Sequence, residues 1–229
     1  MSLKKAIGII VLVLLIDQIS KIYIKTNFGL GESVEVFGWF KILFVENRGM
    51  AWGVELPGNY GKLFLTLFRL FAITAIGYWL HTEVKKKASR ILIVAIALIF
   101  AGAFGNIIDS VFYGILFSAS EPGGGIATFL PEAGGYASVF HGHVVDMLYF
   151  PMIDTTLPEW LPWYGGERFT FFDPVFNIAD SAITIGVLLL IIFNKRAFPK
   201  KEVEVAQRKR EVVKEVVEVT PEPTATEEV

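Results

Sequence analysis

Cysteine is absent from this 229-residue chain. That excludes a disulfide framework and all thiol chemistry, and it leaves the redox compartment open. No internal repeat is visible. No small-residue cleavage site follows Ile16-Asp17-Gln18, so the first apolar run reads as a retained span and not as a secretory signal peptide. Histidine is scarce, at three residues. The His141-Gly142-His143 pair has i/i+2 spacing and no third-ligand pattern, which makes it a loop feature and not a metal motif, and His81 is placed at the membrane interface. The net charge of −2 averages loops of opposite sign and points to no charged partner, nucleic acid included.

Apolar residues fill the space these absences leave. The chain is 53% hydrophobic, with a mean hydropathy of +0.53. Four runs, at about 6–24, 62–80, 90–112 and 175–194, approach the roughly 20 residues that carry a helix across a bilayer. Lys4 and Lys5 precede the first run, Lys85, Lys86, Lys87 and Arg90 lie between the second and third, and Lys195, Arg196, Lys200 and Lys201 follow the fourth. The enrichment of cytoplasmic loops in Lys and Arg therefore puts both termini in the cytoplasm. The segments at about 25–61 and 113–174 then face outward, and the second carries Glu121, Glu132, Asp154, Glu159, Glu167 and Asp173, besides Asp146, against Arg168.

The expected fold is an all-α membrane protein, a four-transmembrane-helix bundle with a small extracytoplasmic β-sheet and an interfacial outer loop. The sheet is expected where Val34 to Val45 alternates weakly and is rich in β-branched and aromatic residues. Segment 120–138, with Gly123-Gly124-Gly125, reads as loop, and Trp160, Trp163 and Tyr164 read as an interfacial belt. Residues 1–198 form the membrane domain, and 199–229, alternating in charge, form a disordered cytoplasmic tail.

Ionisable groups in apolar settings of a membrane protein mark functional sites. Asp146 sits in His143-Val144-Val145-Asp146-Met147-Leu148, and Asp180 opens the fourth run. If folding joins them, repulsion and low dielectric raise one pKa, leaving a protonated acid beside an ionised base. Asp17 and Lys21 share a helix face at i, i+4 and read as a packing ion pair. Asn106 and Asp109 lie at the outer end of the third run, where Asp109 caps or pairs at the membrane edge, and Asn177, Asp180 and Thr184 line the start of the fourth. A polar pocket at one depth follows. Arg69, inside the second run, faces substrate or pairs with a carboxylate; Phe64, Phe68 and Phe71 face lipid or the bundle interior.

At these residues the chain resembles the bacterial lipoprotein signal peptidases, or signal peptidase II. The resemblance rests on Asp17-Gln18-Ile19-Ser20-Lys21, Asn47-Arg48-Gly49-Met50-Ala51-Trp52-Gly53, Gly105-Asn106-Ile107-Ile108-Asp109, Val144-Val145-Asp146 and Phe176-Asn177-Ile178-Ala179-Asp180, in the family's order over about residues 5–195. It implies an aspartyl endopeptidase of the bacterial inner membrane, its site facing the periplasm, that cuts diacylglyceryl-modified prolipoproteins before the lipidated cysteine. It implies Asp146 and Asp180 as catalytic pair, with Asn47, Asn106, Asn177, Asp17, Lys21, Asp109 and Ala179 supporting the site or binding substrate. No metal or cofactor is expected, the lipid partners are prolipoprotein signal peptides and phospholipids, and the protein is expected as a monomer. One departure is Ser110, where the family usually has Arg; Arg48 is the candidate replacement. The intervals between Asp109, Asp146 and Asp180 are longer than in compact members, which outer-loop insertions explain.

Two other classes fit an intramembrane carboxylate. A proton-coupled transporter would place it near the midplane within repeats and broken helices, and a scaffold would not need both aspartates. Presenilin-like aspartyl proteases carry a Gly-x-Gly-Asp block, which is missing.

Overall fold

The computed structural model describes residues 1–47 and 59–199. The tail expected from residue 199 onward, and Arg48 with the rest of its motif block, therefore fall outside the described residues apart from Pro199 and Asn47. Four main helices follow the apolar runs: α1 (Leu3–Asn27), α2 (Asn59–Lys85), α3 (Arg90–Ile108) and α5 (Ile178–Ile192). A π-helical turn (Asp109–Tyr113) and the short α4 (Gly114–Leu116) prolong α3. A last turn, α6 (Asn194–Ala197), follows α5.

Among the described residues, three helical segments are long and apolar enough to cross a membrane: Leu3–Asn27, Leu63–Lys85 and Arg90–Leu116. The fourth helix has 15 residues, about 22 Å at 1.5 Å per residue, and is shorter than the run 175–194. The cause is local. Val175 and Phe176 pair as a strand, and Asn177 ends that strand by capping the helix in a reciprocal box with Asp180.

The third helix is the centre of the bundle, packing on α1, α2 and α5. Glycine makes its contact with α5 close. A Cβ at Gly102 would lie 2.1 Å from the Ala179 carbonyl oxygen, and one at Gly186 would lie 2.8 Å from the Ala95 carbonyl oxygen. Small residues at such crossings let backbones approach, which supplies the packing that lipid cannot drive. The outward faces are apolar and open, with Phe64, Phe68 and Phe71 turned away from the bundle.

The sheet is larger than the sequence announces. Strands β1 (Ser33–Phe37) and β2 (Phe40–Asn47) form the expected hairpin, and β3 (Val144–Tyr149) and β6 (Val175–Phe176) complete the antiparallel order β1-β2-β3-β6. Asp146 lies opposite Val45 in this ladder. Phe44, Val145 and Met147 pack with Ile24 of α1 and with Tyr113 and Phe117, seating the sheet on the ends of α1 and α3. A second hairpin, β4 (Ile153–Thr156) and β5 (Arg168–Phe171), carries Trp160 and Trp163 at 79% and 92% exposure, so both indoles are presented outward.

One buried ionic cluster fastens sheet to helix. Lys25, at the end of α1 and fully enclosed, pairs with Glu46 of β2, donates to the Ser120 hydroxyl at 2.9 Å, and lies over the rings of Phe44, Phe117 and Tyr136. Glu46 also accepts from Ser120 and bonds the His143 ring, each at 2.9 Å. Burial alone would push the Glu46 carboxyl up; the His143 bond, the Lys25 charge and the Ser120 bond outweigh it and bring it down to about 2.

Two outcomes are expected from this architecture. Gly102→Val should destabilise the protein by about 1–3 kcal/mol through overpacking, read as a lower midpoint of thermal unfolding in detergent. Glu46→Gln should be worse, about 3–5 kcal/mol, because it strands the Lys25 ammonium. The carboxylate's contribution is complete above the ordinary glutamate range and disappears as pH falls toward 2, so the gap between wild type and variant should close on acidification. A gap that widens instead would contradict the assignment.

Candidate active site

Beneath the sheet, α1 contributes a second buried cation. Lys21 has no exposed surface, and its ammonium meets Asp17 at 2.9 Å, Asp109 at 2.8 Å and the Asn106 amide oxygen at 2.9 Å. These three contacts match the three donors of an ammonium group. The i, i+4 pair expected within α1 is present. Asp109, expected to cap or pair, does both: it is the C-cap residue of α3 and, fully enclosed, it pairs with Lys21 and so joins α3 to α1.

The other carboxylate oxygens are also occupied, which is what burial of charge requires. Asp17 accepts the Ala179 backbone N–H at 2.9 Å, fixing the first turn of α5. Asp109 accepts from Gln18 at 2.9 Å and from the Val145 backbone at 3.3 Å, fixing β3 one residue before Asp146. Lys21 is thus the hub from which the elements bearing Asp146 and Asp180 are held. Ala179 acts through its backbone; its side chain is buried against α3, where a Cβ at Gly105 would meet it at 3.2 Å.

Two asparagines connect the aspartates. Asn177 donates from its amide to Asp146 at 2.7 Å and to the Asn106 amide oxygen at 3.1 Å, and its own oxygen accepts the Asp180 N–H at 2.9 Å. Asn106 donates to Asp180 at 2.8 Å. Each side-chain amide orients a carboxylate while its oxygen is taken by a fixed donor, so neither can flip without losing bonds at both ends. Asn47, the last residue of β2, also hydrogen-bonds Asp146. Asp146, Asp180, Asn47, Asn106, Asn177, Asp17, Lys21, Asp109 and Ala179 therefore converge in one region.

Burial chiefly, and then the charge of Asp180, push the Asp146 carboxyl up to about 7, against the opposing influence of Lys21, Asn47 and Asn177. The raised carboxyl of Asp146 lies near neutrality, where a side chain can both give and take a proton.

Other sequence expectations resolve differently. Ser110 is buried and donates to the Asn106 backbone carbonyl at 2.9 Å, four residues back in its own helix, so position 110 supplies no charge. Arg69 does bring a guanidinium to the site. From α2 it lines a cavity of about 230 Å³ together with Asn106 of α3 and Asp180 of α5. His141 bonds within its own loop to Ser138 and Val139, whereas His143 reaches Glu46, so the two rings serve different partners. Gln18 was legible only as part of a motif block; it donates to both Asp17 and Asp109 and accepts from Tyr113 at 3.2 Å. The Lys25, Glu46 and His143 cluster had no periodic or motif signal, since its members lie far apart in sequence.

Comparison with known proteins agrees with this geometry. Residues 9–195 match the family model described as Signal peptidase (SPase) II. The chain is 50% identical over 190 residues to a lipoprotein signal peptidase of Porphyromonas gingivalis, covering 82% of both chains. It is 37% identical over 205 residues to one of Amoebophilus asiaticus, covering 87% of this chain and 81% of that one. A bacterial membrane enzyme solved by the in meso method at 2.3 Å superposes with a TM-score of 0.57 at 29% identity, covering 87% of this chain and 93% of the other. A match spanning almost the whole helical region, together with every block that carried the resemblance and lies in the described residues, places the chain in the signal peptidase II family.

Proposed function

We propose that this protein is an aspartyl endopeptidase that removes the signal peptide from diacylglyceryl-modified prolipoproteins, cutting before the lipidated cysteine, with Asp146 and Asp180 as its catalytic pair. The observation that carries this reading is the asparagine-bridged pair itself, one carboxyl of which is raised to about 7, in a chain of the signal peptidase II family.

The chemistry follows from the shared proton. The ionised carboxylate takes a proton from water as the water oxygen bonds to the scissile carbonyl carbon, and the protonated partner gives its proton to the carbonyl oxygen. The tetrahedral intermediate then collapses: the C–N bond breaks, the amine leaves with the proton first taken from water, and the hydroxyl returns its proton to the pair. No step uses Lys21, Asp17 or Asp109. Their role is to keep α1, α3, α5 and β3 in register around the pair.

In this reading residues 1–198 are one four-span domain of the bacterial inner membrane, monomeric, with cytoplasmic termini and the site on the periplasmic side. The basic residues around the ends of the spans support that orientation. The substrate enters from the outer leaflet with its acyl chains against apolar helix faces, and its cleavage segment unwinds, because a helix keeps its carbonyls hydrogen-bonded. Phospholipids surround these faces.

Asp146→Asn and Asp180→Asn should each lower cleavage of a diacylglyceryl-modified precursor by about 10²–10⁴-fold or more, with thermal unfolding in detergent close to wild type. Substantial cleavage by either folded variant would break the pair. The pH dependence has a definite sign. Raising pH through about 7 removes the proton the pair must hold, so kcat should fall above that value; a kcat that rises steadily from pH 6 to 9 would exclude a shared-proton mechanism.

A further inference from the structure

The glycine between His141 and His143 has no part in the cleavage chemistry, yet it lies against the turn that carries Asp109. Segment 137–142 runs along the end of α3 and bonds to it through its backbone. The Gly142 N–H donates to the Ser110 carbonyl at 2.9 Å, the Phe140 N–H to the Val111 carbonyl at 3.2 Å, and the Ala137 N–H to the Gly114 carbonyl at 2.9 Å. Gly142 is buried, and its φ lies outside the left-handed region, so conformation does not require glycine there. Space does. A Cβ at Gly142 would lie 2.1 Å from the Asp109 carbonyl oxygen and 3.0 Å from the Gly114 nitrogen, both backbone atoms that cannot swing aside. Phe140 takes a φ of 54° less than none of its neighbours' need: its own φ is 70°, and its ring packs on the cluster of Ile73, Ile107 and Val111. A non-glycine residue keeps such a conformation where its surroundings hold it.

We propose that Gly142 is a positioning residue for the aspartate pair, its missing side chain setting how closely β3 approaches the bundle and hence where Asp146 stands relative to Asp180. The inference rests on the proposed function. Asp109 holds the entry to β3 at two points: its backbone carbonyl abuts Gly142, and its carboxylate accepts the Val145 N–H at 3.3 Å. Asp146 is the next residue along. The ladder with β2 is a weaker reference, because its register shifts between Ile42 and Val45, and such an irregularity bends the strand and interrupts its bonding. On the Asp146 side of the shift the described pairs are Val45 with Asp146, Glu46 with Val145 and Asn47 with Val144. Ordinary contact begins at 3.4 Å, so an alanine at 142 would have to retreat from Asp109 by more than an ångström. The strand begins two residues later and passes the displacement on to Asp146. An offset of that size at a reacting group costs about 10²-fold in rate.

The test uses the whole chain and a diacylglyceryl-modified prolipoprotein, with Gly142→Ala compared against Gly135→Ala. Gly135 is the matched control: a Cβ there would meet the Gly114 carbonyl oxygen at 2.2 Å, an equal intrusion on the same helix end from an earlier part of the loop. Both variants should unfold at a lower temperature than wild type in detergent. Gly142→Ala should in addition lower kcat about 10²-fold with KM little changed, as when an interaction made only in the transition state is lost, and should move the alkaline limb of the kcat profile to lower pH. The sign follows from the groups that act on Asp146. Burial and the Asp180 charge, the two larger influences, raise its carboxyl, and both weaken as β3 retreats; Lys21, Asn47 and Asn177 oppose them. Gly135→Ala should keep the wild-type kcat and limb. Phe140→Gly, which relieves the backbone and releases the ring without adding an atom, should move kcat and limb in the same direction, and it decides the matter if Gly142→Ala does not fold. A folded Gly142→Ala with the wild-type kcat, a loss of kcat with the limb unmoved, or equal losses in both alanine variants would overturn the positioning role while leaving the peptidase reading intact; where Phe140→Gly must decide, a wild-type kcat would do the same. A folded wild type that cleaves nothing would overturn the peptidase reading and the positioning role with it.

Discussion

A single enclosed ammonium group organises the site. Lys21 is charged, without solvent, and satisfied by Asp17 from its own helix and by Asp109 and Asn106 from α3. Each of these reaches a further element: Asp17 to the start of α5, Asp109 to β3, Asn106 to Asp180. A buried charge without partners is so unfavourable that the four elements must assemble together or not at all. The arrangement exchanges stability for definition. An aliphatic core of the same volume could be firmer, but it would not fix the rotation of α1 against α3 or the register of β3, and the aspartate pair depends on both.

The second cation repeats the principle one turn higher. Lys25 sits in an aromatic enclosure and reaches Glu46, which in turn reaches His143 on the approach to β3. Glu46 lies opposite Val145 in the ladder, and the neighbouring pair is Val45 with Asp146. The strand bearing Asp146 is therefore pinned from two levels of α1, four residues apart, and a two-point attachment resists twisting that a single bond would permit.

Much of this was legible in the sequence, and what was not shares one cause. The apolar runs located all four main helices, because length and hydropathy suffice for a segment whose solvent is lipid. Asp17 and Lys21 were readable as a pair because i, i+4 is a property of one helix. That Asp109 caps or pairs was readable too, but its partner Lys21 was not, because that partner lies on a different helix and nothing local records it. Strand β3 was hidden for a similar reason: Val144 to Tyr149 is short and, apart from Asp146, has no polar residue to mark an alternation, and it becomes a strand by filling the place beside β2. Resemblance to a family supplied the roles of Asn106 and Asn177, whose bonds run from one amide to another across elements. It was blind to Lys25, Glu46 and Arg69, which belong to no motif block.

The π-helical turn at Asp109–Tyr113 carries a consequence for helical phase. A turn of this kind holds one residue more than the α-helix around it, so the chain beyond it is advanced by one position, about 100° of azimuth at 3.6 residues per turn. Asp109 faces Lys21 before the offset, and Tyr113 faces Gln18 and the sheet after it. In an unbroken α-helix these two side chains, four residues apart, would fall on one stripe. Substitutions are therefore a milder perturbation here than changes of length: losing one residue between 109 and 113 would keep both the aspartate and the tyrosine and still turn one of them away from α1.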